Sequence, residues 1–176
     1  SYQKPRELLW VLGWITYFLL CALGFTGYVL PWGQMSFWAA QVIMSLFGSI
    51  PYIGEDLLTW IRGDYLISGI TLNRLFAFHV VLLPLALIAV VFVHILALHE
   101  VGSNNPDGVD VKKFKDADGV PLDTKPFFPY DVMHDLYAIG VFLIFFVAIM
   151  FFYPDGGGYV IEYVNYEAAD NLKTPE

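Results

Sequence analysis

The sequence predicts an all-α transmembrane helix bundle, with three membrane-spanning helices and a short interfacial helical hairpin. Of the 176 residues, 57% are apolar and only 15% are charged, and the mean hydropathy is +0.59; soluble domains have a much more polar composition. Residues 8–54 and 136–153 contain no Asp, Glu, Lys or Arg, and neither do residues 75–99, which contain His79 and His94 and end at His99. These runs have room for helices of the ~20 residues that a bilayer requires.

The first span is expected from about residue 6 to residue 30. Pro31 ends it because proline has no N–H with which to continue the helical ladder. Gly13 and Gly27 are 14 positions apart within this span and lie within about 40° of one helix face. Residues without a side chain let a flat partner approach the backbone, although ordinary helix packing explains the same spacing equally well.

A helical hairpin is expected over residues 34–62. The apolar segment 34–47 is too short to cross a bilayer, and a Gly-Ser-Ile-Pro turn follows it at residues 48–51. Residues 55–61 then combine apolar and charged side chains in the pattern of an amphipathic helix. Such helices lie along the membrane surface rather than across it.

Two further spans are expected at about residues 72–98 and 130–153, joined by a polar loop over about 100–126. Pro84 interrupts the second span and removes one helical hydrogen bond, which bends or widens a helix and is tolerated in membranes. Residues 1–153 are therefore interpreted as membrane bundle, and residues 154–176 as the start of a loop at the outer face.

Basic residues predict the orientation, because they favour the cytoplasmic side of a membrane. Six flank one face and three flank the other: Lys4, Arg6, Lys112, Lys113, Lys115 and Lys125 against Arg62, Arg74 and Lys173. His79 then lies near the outer face, and His94 and His99 lie nearer the cytoplasmic one. The net charge of −8 and the absence of a basic stripe indicate no nucleic-acid partner. Cys21 is the only cysteine, so the chain itself offers neither a disulfide nor a cysteine-held cluster.

His79 and His94 are the candidate functional residues of the second span. They are 15 positions apart, which on a helix is a rise of roughly 22 Å with a net turn of about 60°. One metal ion cannot reach both, so they are interpreted as axial ligands of two separate heme irons. Two alternatives remain open: a heme-free transporter or proton-relay module that uses titrating histidines, and a structural membrane anchor with the hairpin as a docking surface.

Residues 27–38, Gly-Tyr-Val-Leu-Pro-Trp-Gly-Gln-Met-Ser-Phe-Trp, and residues 98–106, Leu-His-Glu-Val-Gly-Ser-Asn-Asn-Pro, carry a specific family resemblance. They resemble cytochrome b of the quinol:cytochrome c oxidoreductase, the cytochrome bc complex, in its proteobacterial form. The resemblance covers nearly the whole chain. It implies the central part of an eight-helix subunit, comprising the third, fourth and fifth helices, with the first two helices and the end of the subunit supplied by a longer chain.

The resemblance also implies two b-type hemes held by four histidines, two of them outside this sequence. His79 would ligate the low-potential heme on the outer side, and His94 the high-potential heme on the inner side. Gly13 and Gly27 would let these hemes pack against the first span. His99 and His134 would lie too near the cytoplasmic surface to replace the missing ligands.

Two quinone sites follow from the same resemblance. The outer, quinol-oxidising site would use five hairpin residues: Met35, Phe37, Trp38, Ala39 and Ala40. The inner, quinone-reducing site would use His99, Ser103, Asn105 and Asp135, with His134 beside it. His99 and Asp135 would be its catalytic residues, because a reduced quinone must also take up protons. Without the resemblance, the hairpin residues would simply bury a surface helix, and His99 and Asp135 would be interfacial anchors.

The implied activity is bifurcated oxidation of ubiquinol coupled to proton translocation across a bacterial inner membrane, or alternatively a mitochondrial one. One electron would go to a Rieske iron–sulfur protein and the other through the two b hemes to ubiquinone. The implied partners are that protein, a c-type cytochrome subunit, the remaining helices of cytochrome b, a second copy of the complex and membrane lipid. The fragment alone would be inactive.

The sequence departs from the family pattern at two places. The spacing of His79 and His94 is one residue longer than in many relatives, and an extra residue rotates a helix by about 100°, so a local bulge or overwound turn is predicted near Pro84. Ala39 stands where relatives usually have glycine. In the family this change is associated with insensitivity to strobilurin-type inhibitors, so weak inhibition of the complex by such compounds is predicted.

Overall fold

A computed structural model describes residues 2–154 and 163–175. Their regular structure is helical, with isolated bridges but no strand. The α-helices are α1 (Glu7–Val29), α2 (Gln34–Gly48), α3 (Gly54–Arg62), α4 (Gly69–Ala77), α5 (Leu83–Val101) and α6 (Val132–Phe152). A π-helical turn, Phe78–Leu82, joins α4 to α5, and a second irregular turn, Phe127–Asp131, precedes α6.

Three helical stretches are long and apolar enough to cross a membrane: Glu7–Val29, Gly69–Val101 and Phe127–Phe152. The predicted fold class is therefore confirmed. The second stretch begins three residues before the expected residue 72, because Ser68 caps it. The Ser68 hydroxyl accepts a hydrogen bond from the Ile70 N–H, and the Ser68 N–H donates to Thr71 Oγ1. This reciprocal capping satisfies N–H groups that the first helical turn leaves unpaired.

The chain forms two compact units, residues 1–95 with 162–176 and residues 96–161. In the first unit, buried side chains of α1, α2, α4 and the segment before α4 form a small core: Val29, Ala40, Met44, Ile67 and Leu75. Phe25, Trp32, Phe37, Leu58 and Ile61 pack around it. This core joins the end of α1, the segment before α4 and α4 itself to the predicted hairpin, which α2 and α3 form.

Close backbone contact shapes the hairpin turn. A Cβ on Gly54 would lie under 3.0 Å from the Gly48 carbonyl oxygen, so only glycine fits at the start of α3. Arg62, at the end of α3, is buried; its Nη1 donates to Tyr65 O at 3.1 Å, and its backbone oxygen accepts from Thr71 Oγ1 at 2.9 Å. These bonds position α3 and α4 relative to each other.

The second unit contains the end of α5, a polar loop and α6. The side chain of Asn105 is buried in the loop and donates to Asp123 Oδ2 at 2.8 Å. The Lys112 backbone N–H and the Lys113 ammonium, 3.2 Å from Asp110 Oδ2, lower the pKa of Asp110. No residue of α6 is buried within the described chain, and an apolar helix of this kind suits contact with lipid or with other helices.

Candidate functional site: two histidines facing one helix

His79 lies on the π-helical turn and contacts α1 directly. Its Nδ1 is 3.0 Å from the Leu23 carbonyl oxygen and 3.2 Å from Thr26 Oγ1. A carbonyl oxygen only accepts hydrogen bonds, so this contact requires the hydrogen on Nδ1. The lone pair of a neutral imidazole is then on Nε2, which is the arrangement of a histidine held ready to bind a metal.

Gly27 provides the space that the His79 ring occupies. A Cβ built on Gly27 would lie 2.6 Å from His79 Cε1 and 3.2 Å from His79 Nδ1. The imidazole therefore lies almost on the α1 backbone. The sequence predicted a glycine at which a flat group approaches α1, and in the structure that group is the histidine ring.

His94 lies on α5 and contacts α1 at Gly13, 14 residues before Gly27. A Cβ on Gly13 would be 3.5 Å from His94 Cε1, an ordinary van der Waals distance. The Nδ1 atom of His94 is buried, and within the described residues it has no hydrogen-bond partner. Buried polar atoms are nearly always paired. The unpaired Nδ1 therefore indicates that a group outside the described residues lies beside His94.

The predicted bulge between the histidines is confirmed, as the π-helical turn Phe78–Leu82. The Leu83 N–H bonds to the Phe78 carbonyl oxygen, five residues earlier instead of four. Pro84 directly follows this bond; it has no N–H and would collide with the carbonyl four residues before it. The wide turn absorbs one residue, so the 15 positions from His79 to His94 behave as 14. Gly13 and Gly27 are also 14 positions apart, which keeps each histidine opposite its glycine.

The predicted outer-site residues lie at the start of α2. Ala40 is buried, and the other four are half-buried. The Phe37 ring packs edge-on against Trp32 and Trp38, with centroid distances of 6.0 and 5.6 Å. Trp38 Nε1 donates to the carbonyl oxygens of Asp170 and Lys173, each at 3.1 Å. An aromatic, apolar wall is therefore present here.

Residues 163–175 cover this wall, which the sequence did not predict. The Gln34 backbone N–H donates to Glu167 O at 2.9 Å, and its side-chain oxygen accepts from the Asp170 N–H at 2.8 Å. The Gln34 side chain also donates to Lys173 O. At Gly33, a Cβ would lie under 3.0 Å from Asn165 O. The rest of the predicted loop from residue 154, residues 155–162, lies outside the described residues.

The predicted inner-site residues all lie in the second unit. His99 is exposed near the end of α5, and its carbonyl oxygen accepts from Lys112 Nζ at 2.9 Å. Asp135 and His134 are exposed at the start of α6, and Ser103 is exposed just after α5. Among the described residues, no hydrogen bond or ion pair joins His99 to Asp135, and Asn105 is bonded to Asp123 instead.

The family model described as cytochrome b (N-terminal)/b6/petB matches residues 1–157. The chain belongs to the cytochrome b family. The resemblance on residues 27–38 and 98–106 is thereby confirmed. Together with the three candidate spans, membership indicates a multi-pass protein of the bacterial inner membrane, and the family implies bound heme.

Similar proteins agree with this assignment. Cytochrome b of Allochromatium vinosum is 51% identical over 179 residues, which cover 99% of this chain and 43% of that protein. Cytochrome b of Rickettsia conorii is 46% identical, over 99% of this chain and 41% of its own length. A solved chain of a hyperthermophilic respiratory complex III is 33% identical, with a TM-score of 0.81 over 99% of this chain and 45% of that one. The chain thus spans about two fifths of the curated cytochrome b proteins.

The described residues fit a heme at each histidine. His79 has its Nδ1 hydrogen engaged and Nε2 available, and Gly27 leaves room against the α1 backbone. His94 faces Gly13, and its Nδ1, the nitrogen that would not bind the iron, is buried without a hydrogen-bond partner among the described residues. Beside the first pair, a largely apolar cavity of about 500 Å³ is lined by Thr26, Phe78 and Arg74 among others. Among the described residues no three His, Cys, Asp or Glu side chains come together as a metal site.

Proposed function

We propose that this chain is the central part of a diheme cytochrome b in a respiratory bc complex, an enzyme that oxidises ubiquinol at an outer site and reduces ubiquinone at an inner site while translocating protons. The observation that carries the proposal is the alignment of His79 and His94 on one helix, each opposite a glycine of α1. The bound hemes would supply reversible one-electron chemistry.

The chain's own residues position and orient these groups. His79 would donate its Nε2 lone pair to the low-potential heme iron, and Leu23 O holds the ring in that tautomer. His94 would ligate the high-potential heme iron. Gly13 and Gly27 would leave the space against α1 that each ring and porphyrin edge requires. The remaining ligands of the two irons would come from other helices of the complete subunit.

The quinone sites are proposed at the two regions already described. Met35, Phe37, Trp38, Ala39 and Ala40 would line the outer site, where aromatic rings offer a flat apolar surface for a quinol ring. His99 and Asp135, with Ser103 and Asn105, would form the inner site. Both His99 and Asp135 are exposed, so each can exchange protons with water and supply them to a reduced quinone.

The proposed partners are those of a bc complex: a Rieske iron–sulfur protein, a c-type cytochrome, the remaining helices of cytochrome b, a second copy of the complex and membrane lipid. The exposed apolar surface of α5 and α6 is consistent with packing against such helices and lipid.

The test is a reduced-minus-oxidised visible spectrum of the complete complex with His79→Leu or His94→Leu. Each variant is expected to lose a different b-type component, because each removes one axial ligand. His134→Leu is the matched control; His134 is exposed and bonds to Tyr130 O, so both components are expected to remain. A spectrum that neither histidine variant changes, or a wild-type complex without b-type components, would favour the transporter or anchor alternatives.

A further inference from the structure

Thr26 is a buried polar residue in an apolar helix, and its hydroxyl contacts one histidine. It is 6% exposed, and its Oγ1 lies 3.2 Å from His79 Nδ1. Thr26 directly precedes Gly27, which accommodates the ring of the same histidine. The hydroxyl and the glycine therefore act on His79 from adjacent positions of α1.

The other hydrogen bonds of Thr26 determine which atom is the donor in its contact with His79 Nδ1. Thr26 Oγ1 donates its own hydrogen to the α1 backbone, with Ala22 O at 2.8 Å and Leu23 O at 3.2 Å. An oxygen lone pair thus remains toward Nδ1. Because Nδ1 carries its hydrogen, this N–H is shared between two acceptors, Leu23 O and Thr26 Oγ1.

A metal-bound imidazole becomes a stronger electron donor when its second nitrogen donates a hydrogen bond, and this favours the oxidised metal. The two histidines of this chain differ in that respect. His79 has two acceptors for its N–H, whereas His94 Nδ1 has none among the described residues. The two acceptors would therefore affect only the iron that His79 would bind.

We infer that Thr26 is a positioning residue that tunes His79 and lowers the reduction potential of the iron ligated there relative to the iron at His94. This inference rests on the proposed heme ligation. It assigns to one hydroxyl of this chain a part of the potential difference that drives an electron from the outer iron toward the inner one.

The test compares Thr26→Val with Thr26→Ser in the complete complex, by redox titration of each b-type component and by electron paramagnetic resonance of the oxidised hemes. Valine keeps the shape of threonine but has no hydroxyl. It is expected to favour reduction of the iron at His79 by about three- to tenfold, up to about 59 mV for one electron. Serine retains the hydroxyl and should restore the original potential. The reduction potential of the other b-type component, at His94, should not change in either variant.

Thr16→Val is the matched control. Thr16 lies on the same helix and donates to Leu12 O at 2.9 Å, the same bond to the carbonyl four residues earlier, but it makes no hydrogen bond to a histidine. Loss of the Thr16 hydroxyl should leave the reduction potentials of both b-type components unchanged. If the valine variant fails to assemble, Thr26→Ala replaces it in the test. Alanine also has no hydroxyl, and its smaller side chain cannot collide with the His79 ring.

Two results would overturn the inference: an unchanged potential in both Thr26→Val and Thr26→Ala, or an equal shift of both components. These are distinguishable from failure of the proposed function. If His79→Leu removes no heme component, ligation itself is wrong. If His79→Leu removes its component and Thr26→Val does not shift it, ligation stands and only the role of Thr26 fails.

Discussion

Gly27→Ala is expected to remove the low-potential b heme from the assembled complex while the other heme remains. The new methyl group would lie 2.6 Å from His79 Cε1 and within 3.3 Å of both ring nitrogens. The ring cannot simply retreat, because Leu23 O and Thr26 Oγ1 hold its Nδ1. Overpacking of this kind costs about 1–3 kcal/mol, and relief requires moving the His79 imidazole, the proposed iron ligand.

Two glycines of α1 are matched controls for this prediction. At Gly13 the added Cβ would meet His94 at an ordinary 3.5 Å, and at Gly24 it would meet nothing within 4 Å. Alanine at either position should therefore leave the His79 component in place. The measurement is the reduced-minus-oxidised spectrum with heme content per complex. Full retention of both components at their normal potentials in Gly27→Ala would contradict the placement of His79 against α1.

Gly33→Ala is expected to slow quinol oxidation about a hundredfold and to leave both heme spectra unchanged. Its φ of −82° suits any residue, so the effect arises from contact alone. The added Cβ would lie under 3.0 Å from Asn165 O, a backbone atom that cannot rotate away. Residues 163–175 must then move off the start of α2, and a displacement of about 1 Å at a substrate wall can cost about a hundredfold in rate.

The measurement is kcat/KM for quinol with a c-type cytochrome as acceptor, beside the heme spectrum of the same preparation. Gly69→Ala is the control, because a Cβ there would meet nothing within 4 Å. Normal kcat/KM in Gly33→Ala would show that the contact between residues 163–175 and α2 does not shape the quinol site. Loss of the hemes as well would indicate a general folding defect.

The sequence predicts the fold class, the three spans and the hairpin because charge-free runs and prolines are strong signals in a membrane protein. His79 and His94 stand out for the same reason: imidazole is rare among apolar side chains in a bilayer. The bulge near Pro84 follows from the spacing of these two residues. These features depend on side-chain type and helical periodicity, which can be read directly from the chain.

Other features depend on backbone atoms and have no sequence pattern. Residues 163–175 bind α2 through carbonyl oxygens of Glu167, Asp170 and Lys173, and any residue type supplies a carbonyl. Thr26 looks in sequence like a threonine that bonds only to its own helix, and its second contact requires knowledge of which helix packs beside it. The earlier start of α4 could have been found, because Ser68 and Thr71 are a capping pair in sequence.

The π-helical turn allows the number of residues in this transmembrane helix to change without moving its two histidines relative to α1. An additional residue in a regular helix would change the direction of every side chain beyond it, including His94 and His99. Here the extra residue is confined to five positions beside a proline, and the helix on either side keeps its register against α1. This transmembrane helix can therefore gain or lose a residue at the turn in evolution, while both histidines stay opposite the same two glycines.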